Sequence, residues 1–478
     1  MAYTTFFILS SFLFLSMIAA PAASISDENA WSTAESLYQQ LGKQVIAQTG
    51  SKEKDLVAAL PGQPAGNVSF AQYAGYVAVD PAGSRNLFYY FVEAATDPES
   101  KPLVWWFDGG AGTSAFGFGA LQANGPFHVD QSGESLVSNP YSWNKVANML
   151  YVETPFGVGF SYSTNQSDFA TMGDNSTTVD NFQFLANWLE RFPEYKSGDL
   201  YLAGQNAGNF VSQLAELIIF YNNKTGSSIN LKGIILGNPS IDDLEDARGR
   251  FIFHAGHGIL SDHIIRLVDK KCNCLGCWNS STCKRVLELS RPKAFSYNLK
   301  DVYDLPCQEP AYVSSVYNDP MTMYTCAKSL TTNYVNKPEV QTALHVNKGA
   351  WNWEAFNMDL EGKFNQSYKS IVPTLRNVMA GGCPIWIYSG DLDSRNPVTS
   401  TMYSLRLLRL KEKTPWYGWY ITPFELAGYV MEYEEKLTFI TIRGAGHSVV
   451  DKQPERGLLV FTSIIQGQNL PKSPFLHY

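Results

Sequence analysis

The sequence predicts an α/β fold in which a doubly wound sheet carries helices on both faces and one region is inserted. Three observations predict it: short apolar runs alternating with helical stripes, a break in that alternation between about Ile241 and Val372, and a composition of 45% hydrophobic against 17% charged residues over 478 positions. Such a composition excludes a disordered chain and supplies a large core. The net charge of −8, from 44 acidic against 36 basic residues, leaves no basic surplus for phosphates, so no nucleic-acid partner is expected.

Taken in chain order, the first element is a leader. Phe6 to Ala20 form an apolar run followed by Ala20-Pro21-Ala22-Ala23, the small-residue pattern of a secretory cleavage site, so residues 1–23 read as a removable signal. No later stretch approaches the roughly 18 consecutive apolar residues of a membrane helix, so no membrane partner is expected and the protein reads as secreted, extracellular or vacuolar. Sequons at Asn67, Asn165, Asn175, Asn223, Asn279 and Asn365 suit glycosylation on that route. Seven cysteines suit it too: Cys272, Cys274, Cys277 and Cys283 cluster, with Cys307, Cys326 and Cys383 later. Four clustered thiolates could surround a zinc ion, but an oxidising route favours disulfides over a metal, and neither metal nor cofactor is expected.

Runs suited to buried parallel strands occur at Leu103–Phe107, Met149–Val152, Leu200–Ala203, Gly233–Leu236, Pro384–Tyr388 and Leu437–Ile442. Between them Leu185, Trp188, Leu189 and Phe192 share one helical face, as do Phe210, Leu214, Leu217 and Ile218. The core is therefore assigned to 24–240 and 373–478. Residues 241–372, irregular and holding the cysteine cluster, read as an insertion covering the sheet's edge.

The chemistry is expected where strands end. Leu200–Ala203 runs into Gly204-Gln205-Asn206-Ala207-Gly208 and then an amphipathic helix, the strand, sharp turn and helix of a nucleophile elbow, with Asn206 at its centre. Asp391-Leu392-Asp393 and Gly444-Ala445-Gly446-His447 follow later strands, so elbow, acid and histidine come in the chain order of an α/β-hydrolase triad.

With Leu60-Pro61-Gly62-Gln63-Pro64, Tyr73-Ala74-Gly75-Tyr76-Val77, Asn139-Pro140-Tyr141-Ser142-Trp143-Asn144, Gly157-Val158-Gly159-Phe160-Ser161-Tyr162, Tyr388-Ser389-Gly390-Asp391 and Gly444-Ala445-Gly446-His447, the chain resembles the plant serine carboxypeptidases and serine carboxypeptidase-like proteins from about Leu60 to Phe461. The resemblance implies an α/β-hydrolase fold, a doubly wound mixed sheet with an inserted cap, and an activity that removes C-terminal residues or transfers acyl groups. It places the triad acid at Asp393, the base at His447 and the oxyanion N–H groups at Gly110 and Ala207.

The departures are as informative. The family elbow reads Gly-Glu-Ser-Tyr-Ala-Gly, so here it is one residue shorter and Asn206 stands at the serine; a carboxamide cannot become the attacking alkoxide. The family's grip on the substrate carboxylate, an asparagine and two glutamates, falls on Asp108, Ala123 and Gln205; an ionised Asp108 would repel a carboxylate. Thr113 stands at a family cysteine, which leaves its partner, aligned with Cys326, an orphan. The remaining pairs are drawn from Cys272, Cys283, Cys277 and Cys307, with Cys274 and Cys383 as free thiols. Three readings follow. The first is a carboxypeptidase-like pseudoenzyme that binds a peptide or small acyl-type ligand, an active paralogue or its own copy. The second is an altered hydrolase or acyltransferase using another nucleophile, Ser114 or a deamidated Asn206. The third is a zinc or redox protein built on the cysteine cluster.

Overall fold

A computed structural model describes residues 31–41, 45–64, 66, 68–272, 280–289, 300–304, 327–347 and 352–472. The leader, Asn67, Asn279, Cys274, Cys277, Cys307 and Cys326 lie outside them. The strands in chain order are β1 (Leu56–Val57), β2 (Gln72–Ala78), β3 (Arg85–Val92), β4 (Leu103–Asp108), β5 (Phe127–Val129), β6 (Leu136–Ser138), β7 (Asn148–Val152), β8 (Tyr162–Ser163), β9 (Leu200–Gln205), β10 (Leu231–Gly237), β11 (Ile385–Gly390), β12 (Tyr417–Thr422), β13 (Glu425–Glu432) and β14 (Leu437–Ile442). One large sheet runs β1-β2-β3-β7-β4-β9-β10-β11-β14-β13-β12, with β8 on β3, and β5-β6 form a separate hairpin.

The six apolar runs are the six neighbouring strands β7-β4-β9-β10-β11-β14, all parallel to one another. Antiparallel strands flank this block on both sides, which makes the sheet mixed. Parallel strands buried on two faces need apolar residues at successive positions. In β4, Leu103, Trp105 and Phe107 join one core with the helices Asp174–Arg191 and Gly208–Thr225, while Val104 and Trp106 join the other with helix Pro454–Ile465. The two predicted helical stripes are buried in the first of these cores.

Chain order sets the switch point. The path from β4 leads to β7 on one side and then crosses to β9 on the other, so the crevice at the carboxyl ends of β4 and β9 is where ligands enter an open α/β sheet. The insertion leaves after β10 and returns before β11, two strands that are neighbours inside the sheet. It therefore starts from the middle of the sheet, whose edges are β1 and β12, and its described residues reach the β1 side, where Tyr334 Oη donates to Pro61 O at 2.7 Å and His345 Nδ1 lies 3.1 Å from Ala74 O. A segment that departs from the carboxyl end of a central strand starts above the crevice, and His447 N–H donates to Lys300 O at 2.5 Å and Ser114 N–H to Ala355 O at 2.9 Å across it. Within the insertion, Cys272 and Cys283 form a disulfide between helices Asp262–Cys272 and Ser281–Leu289, which removes two of the four thiolates the zinc reading needs. Cys383 is a free, buried thiol, as expected.

A buried ion pair ties the antiparallel flank to the first core. Arg191 Nη1 donates to Asp55 Oδ2 at 2.6 Å and to Tyr76 O at 2.9 Å, and Tyr89 Oη donates to the same carboxylate at 2.7 Å. Asp55→Ala leaves the guanidinium buried without its counter-charge and is expected to cost about 3–5 kcal/mol, read as a lower urea midpoint with an unchanged slope.

Candidate functional site at the carboxyl ends of five strands

The neighbouring strands β4, β9, β10, β11 and β14 each deliver one part of the site just past their last residue. After β9 the chain turns at Asn206, whose φ of +54° is left-handed and whose N–H donates to Gly237 O at 2.8 Å. The turn needs close backbone approach: a Cβ at Gly204 would lie 2.9 Å from Phe107 O, and one at Gly208 3.0 Å from Pro239 Cβ. Helix Gly208–Thr225 starts directly behind it. The strand, sharp turn and helix expected of an elbow are thus present.

After β11, Asp393 is fully buried and accepts four donors: His447 Nδ1 at 2.8 Å and Asn238 Nδ2 at 2.7 Å on Oδ2, and the N–H groups of Arg395 at 2.8 Å and Asn396 at 3.1 Å on Oδ1. His447 follows β14. Burial pushes its imidazole below the usual histidine value while the Asp393 charge pulls the other way, so the ring is a neutral base at neutral pH. Asn238, which follows β10 with a φ of +41°, also donates to the carbonyls of Gly446 and His447 and receives Gly390 N–H at 2.9 Å on its Oδ1. Sequence reasoning missed it and Asn396, although Gly237-Asn238-Pro239 directly after a buried strand is a turn signal of the same kind as the elbow.

Asn206 itself accepts from Asn396 Nδ2 at 2.7 Å. Of the residues expected to supply oxyanion N–H groups, neither Gly110 nor Ala207 has a protein acceptor for its N–H among the described residues, and both border a cavity of about 470 Å³. A second cavity of about 380 Å³ is bordered by His447, Gln205, Asp108 and Asp451. Asn206, Gly109, Thr113, Phe356 and Arg395 border both, so the two are halves of one cleft divided at the elbow.

The three residues aligned with the carboxylate grip have different fates. Asp108 borders the second cavity and takes Trp106 Nε1–H at 3.1 Å; burial raises its carboxyl to about 8, so at neutral pH it is a neutral hydrogen-bond donor and not the repelling charge considered from sequence. Gln205 is buried and spent, its Nε2 on His447 O and its Oε1 receiving Tyr388 Oη at 3.3 Å. Ala123 is buried off the cleft, whose wall is instead Gln122, held by Thr331 Oγ1 at 2.9 Å. Ser114, the alternative nucleophile, is fully buried, donates to Glu153 Oε1 at 2.5 Å and accepts Gly117 N–H at 2.9 Å; these bonds turn it into the core, away from the cleft.

Comparison with known proteins agrees with this geometry. A family model described as serine carboxypeptidase matches residues 61–467. Serine carboxypeptidase-like 40 of Arabidopsis thaliana is 39% identical over 473 residues, spanning 96% of this chain and 92% of its own. Serine carboxypeptidase-like 31 of the same plant is 40% identical over 453 residues, spanning 88% and 91%. Among solved structures, the prohormone-processing carboxypeptidase Kex1Δp of Saccharomyces cerevisiae superposes with a TM-score of 0.72 at 22% identity, over 87% of this chain and 96% of its own. The fold is that of an α/β hydrolase, and with the elbow, acid and histidine set just past the ends of β9, β11 and β14, the chain belongs to the serine carboxypeptidase family.

Proposed function

We propose that this member of the family makes no acyl-enzyme and serves as a secreted binder of carboxylate-bearing ligands, a peptide C-terminus or a small acid. The observation that carries the reading is Asn206: a carboxamide occupies the elbow, and its oxygen is held by Asn396. An amide nitrogen has no lone pair free for attack and no proton that a histidine can remove at ordinary pH. In serine proteases the absence of the nucleophile alone lowers turnover by about 10⁶. A ligand role is supported by the open cleft and by Asp108, whose neutral carboxyl offers an O–H to an incoming carboxylate. Export is supported by the leader and by the described sequon residues Asn165, Asn175, Asn223 and Asn365, all exposed.

A fluorophosphonate probe tests the first half. The folded protein is expected to take no adduct beside an active carboxypeptidase that is fully labelled. Asn206→Ser, which puts a hydroxyl on the preserved elbow, is expected to label at that position yet to release C-terminal residues poorly, because Gln205 and Ala123 still lack the two carboxyls of the grip. A stoichiometric adduct on the unmodified chain would refute the reading.

The pH dependence of binding tests the second half. Asp108 donates only while protonated; Asp451 beside it favours that form, and the Trp106 N–H and Lys300 oppose it. With a value of about 8, the competent fraction falls and the apparent Kd for an N-acyl amino acid is expected to rise about tenfold from pH 7 to pH 9, measured by calorimetry. Asp108→Asn is expected to flatten that dependence. Equal affinity at both values, or a slope that survives in Asp108→Asn, would remove Asp108 from the ligand.

A further inference from the structure

At the elbow, His447 and Asn206 each retain one polar atom without a protein partner among the described residues. The Nδ1 of His447 is committed to Asp393, and its backbone N–H and C=O are engaged, which leaves Nε2. The orientation of Asn206 follows from its neighbour. Asn396 Nδ2 also donates at 3.0 Å to the backbone carbonyl of Asn238, an atom that only accepts, so Asn396 must present N–H to Asn206 and the atom that receives it at 2.7 Å is Oδ1. Asn206 Nδ2 is the unengaged end. Both residues border the 380 Å³ half of the cleft, and the Gly110 and Ala207 N–H groups border the half on the other side of Asn206.

The geometry points to a hydrolysis in which water replaces the missing protein nucleophile: Asn206 Nδ2–H donates to the water oxygen, the water donates to His447 Nε2, and an activated ester or thioester lies with its carbonyl oxygen toward Gly110 and Ala207. On attack a bond forms between the water oxygen and the acyl carbon, one water proton passes to Nε2, and the carbonyl oxygen becomes the oxyanion that the two N–H groups receive. Collapse breaks the bond from acyl carbon to leaving group, which departs with the proton from Nε2. A carboxylic acid and an alcohol or thiol result, the dyad returns to its starting state, and nothing is oxidised or reduced. Asp393 holds the ring so that Nε2 is the basic nitrogen. The whole barrier falls on one step with a weak nucleophile, which selects acyl groups with good leaving groups over peptide bonds. This activity goes beyond ligand binding and rests on the premise that Asn206 itself does not attack.

Hydrolysis of p-nitrophenyl acetate by the full-length protein tests it. The expected result is saturable release above the buffer rate, linear from the first turnover with no burst, slower in D2O, and unaffected by fluorophosphonate. His447→Ala and His447→Gln are each expected to lower kcat at least about 100-fold, the range of general-base catalysis, with melting temperature confirming that at least one remains folded. Asn206→Ala is expected to lower kcat with little change in KM. Release no faster than buffer, or equal release by a folded His447 variant, overturns the water mechanism and leaves the binding role standing. A burst of one equivalent overturns both, because it reports an acyl-enzyme.

Discussion

The four hydrogen bonds that converge on the Asp393 carboxylate organise everything above the sheet. They come from residues that follow three different strands, Asn238 after β10, Arg395 and Asn396 after β11, and His447 after β14. A carboxylate at zero exposure is costly unless its lone pairs are occupied, so these loops have little freedom to move apart. Asn396 extends the network to a fourth strand end by holding Asn206 with the Nδ2 that also binds Asn238 O. The elbow is thus fixed from two sides, by backbone packing against Phe107 below and by this network above.

That arrangement suits asparagine at the centre of the elbow. The position demands a left-handed φ, which asparagine and aspartate accept more readily than other side chains with a Cβ. Asn206 meets the backbone requirement and satisfies its oxygen in the same step. Strand β9 and helix Gly208–Thr225 are both formed on either side of it. Beside it stand the Asp393–His447 pair and two N–H groups without a protein acceptor among the described residues.

Legibility in the sequence followed burial. The six parallel strands stood out because residues such as Leu103 to Phe107 are apolar on both faces, and both faces are covered. The flanking hairpin β12-β13 did not, since it is half exposed and broken in pattern by Gly428. That glycine is forced by the neighbouring strand: Trp419 Nε1 crosses it to reach Thr441 O at 3.0 Å, and a Cβ there would lie 1.8 Å from the same oxygen. The π-helical segment Ala115–Ala123 was hidden in the same way, with Gly117 under Trp353 and Gly119 against Trp106. In the site, Asp393 and His447 stood out by following strands, whereas Gly110 and Ala207 came only from the family resemblance. Asn238 and Asn396 were not, because an asparagine in a turn is ordinary until the carboxylate it serves is known.

Asp108 shows the limit of aligning residue types alone. Read as a letter, aspartate for asparagine exchanges an amide donor for a charge that repels the ligand. Placed at the end of β4 with Trp106 across it, burial raises its carboxyl to about 8 and returns a donor to the same position. The exchange therefore alters when the group donates more than whether it does: an amide donates at every pH, a buried carboxyl only while it keeps its proton. Burial thus acts on the two groups in opposite directions, keeping the proton on Asp108 and off the His447 ring. Asp108 and His447, which border the same half of the cleft, thus answer to different proton equilibria.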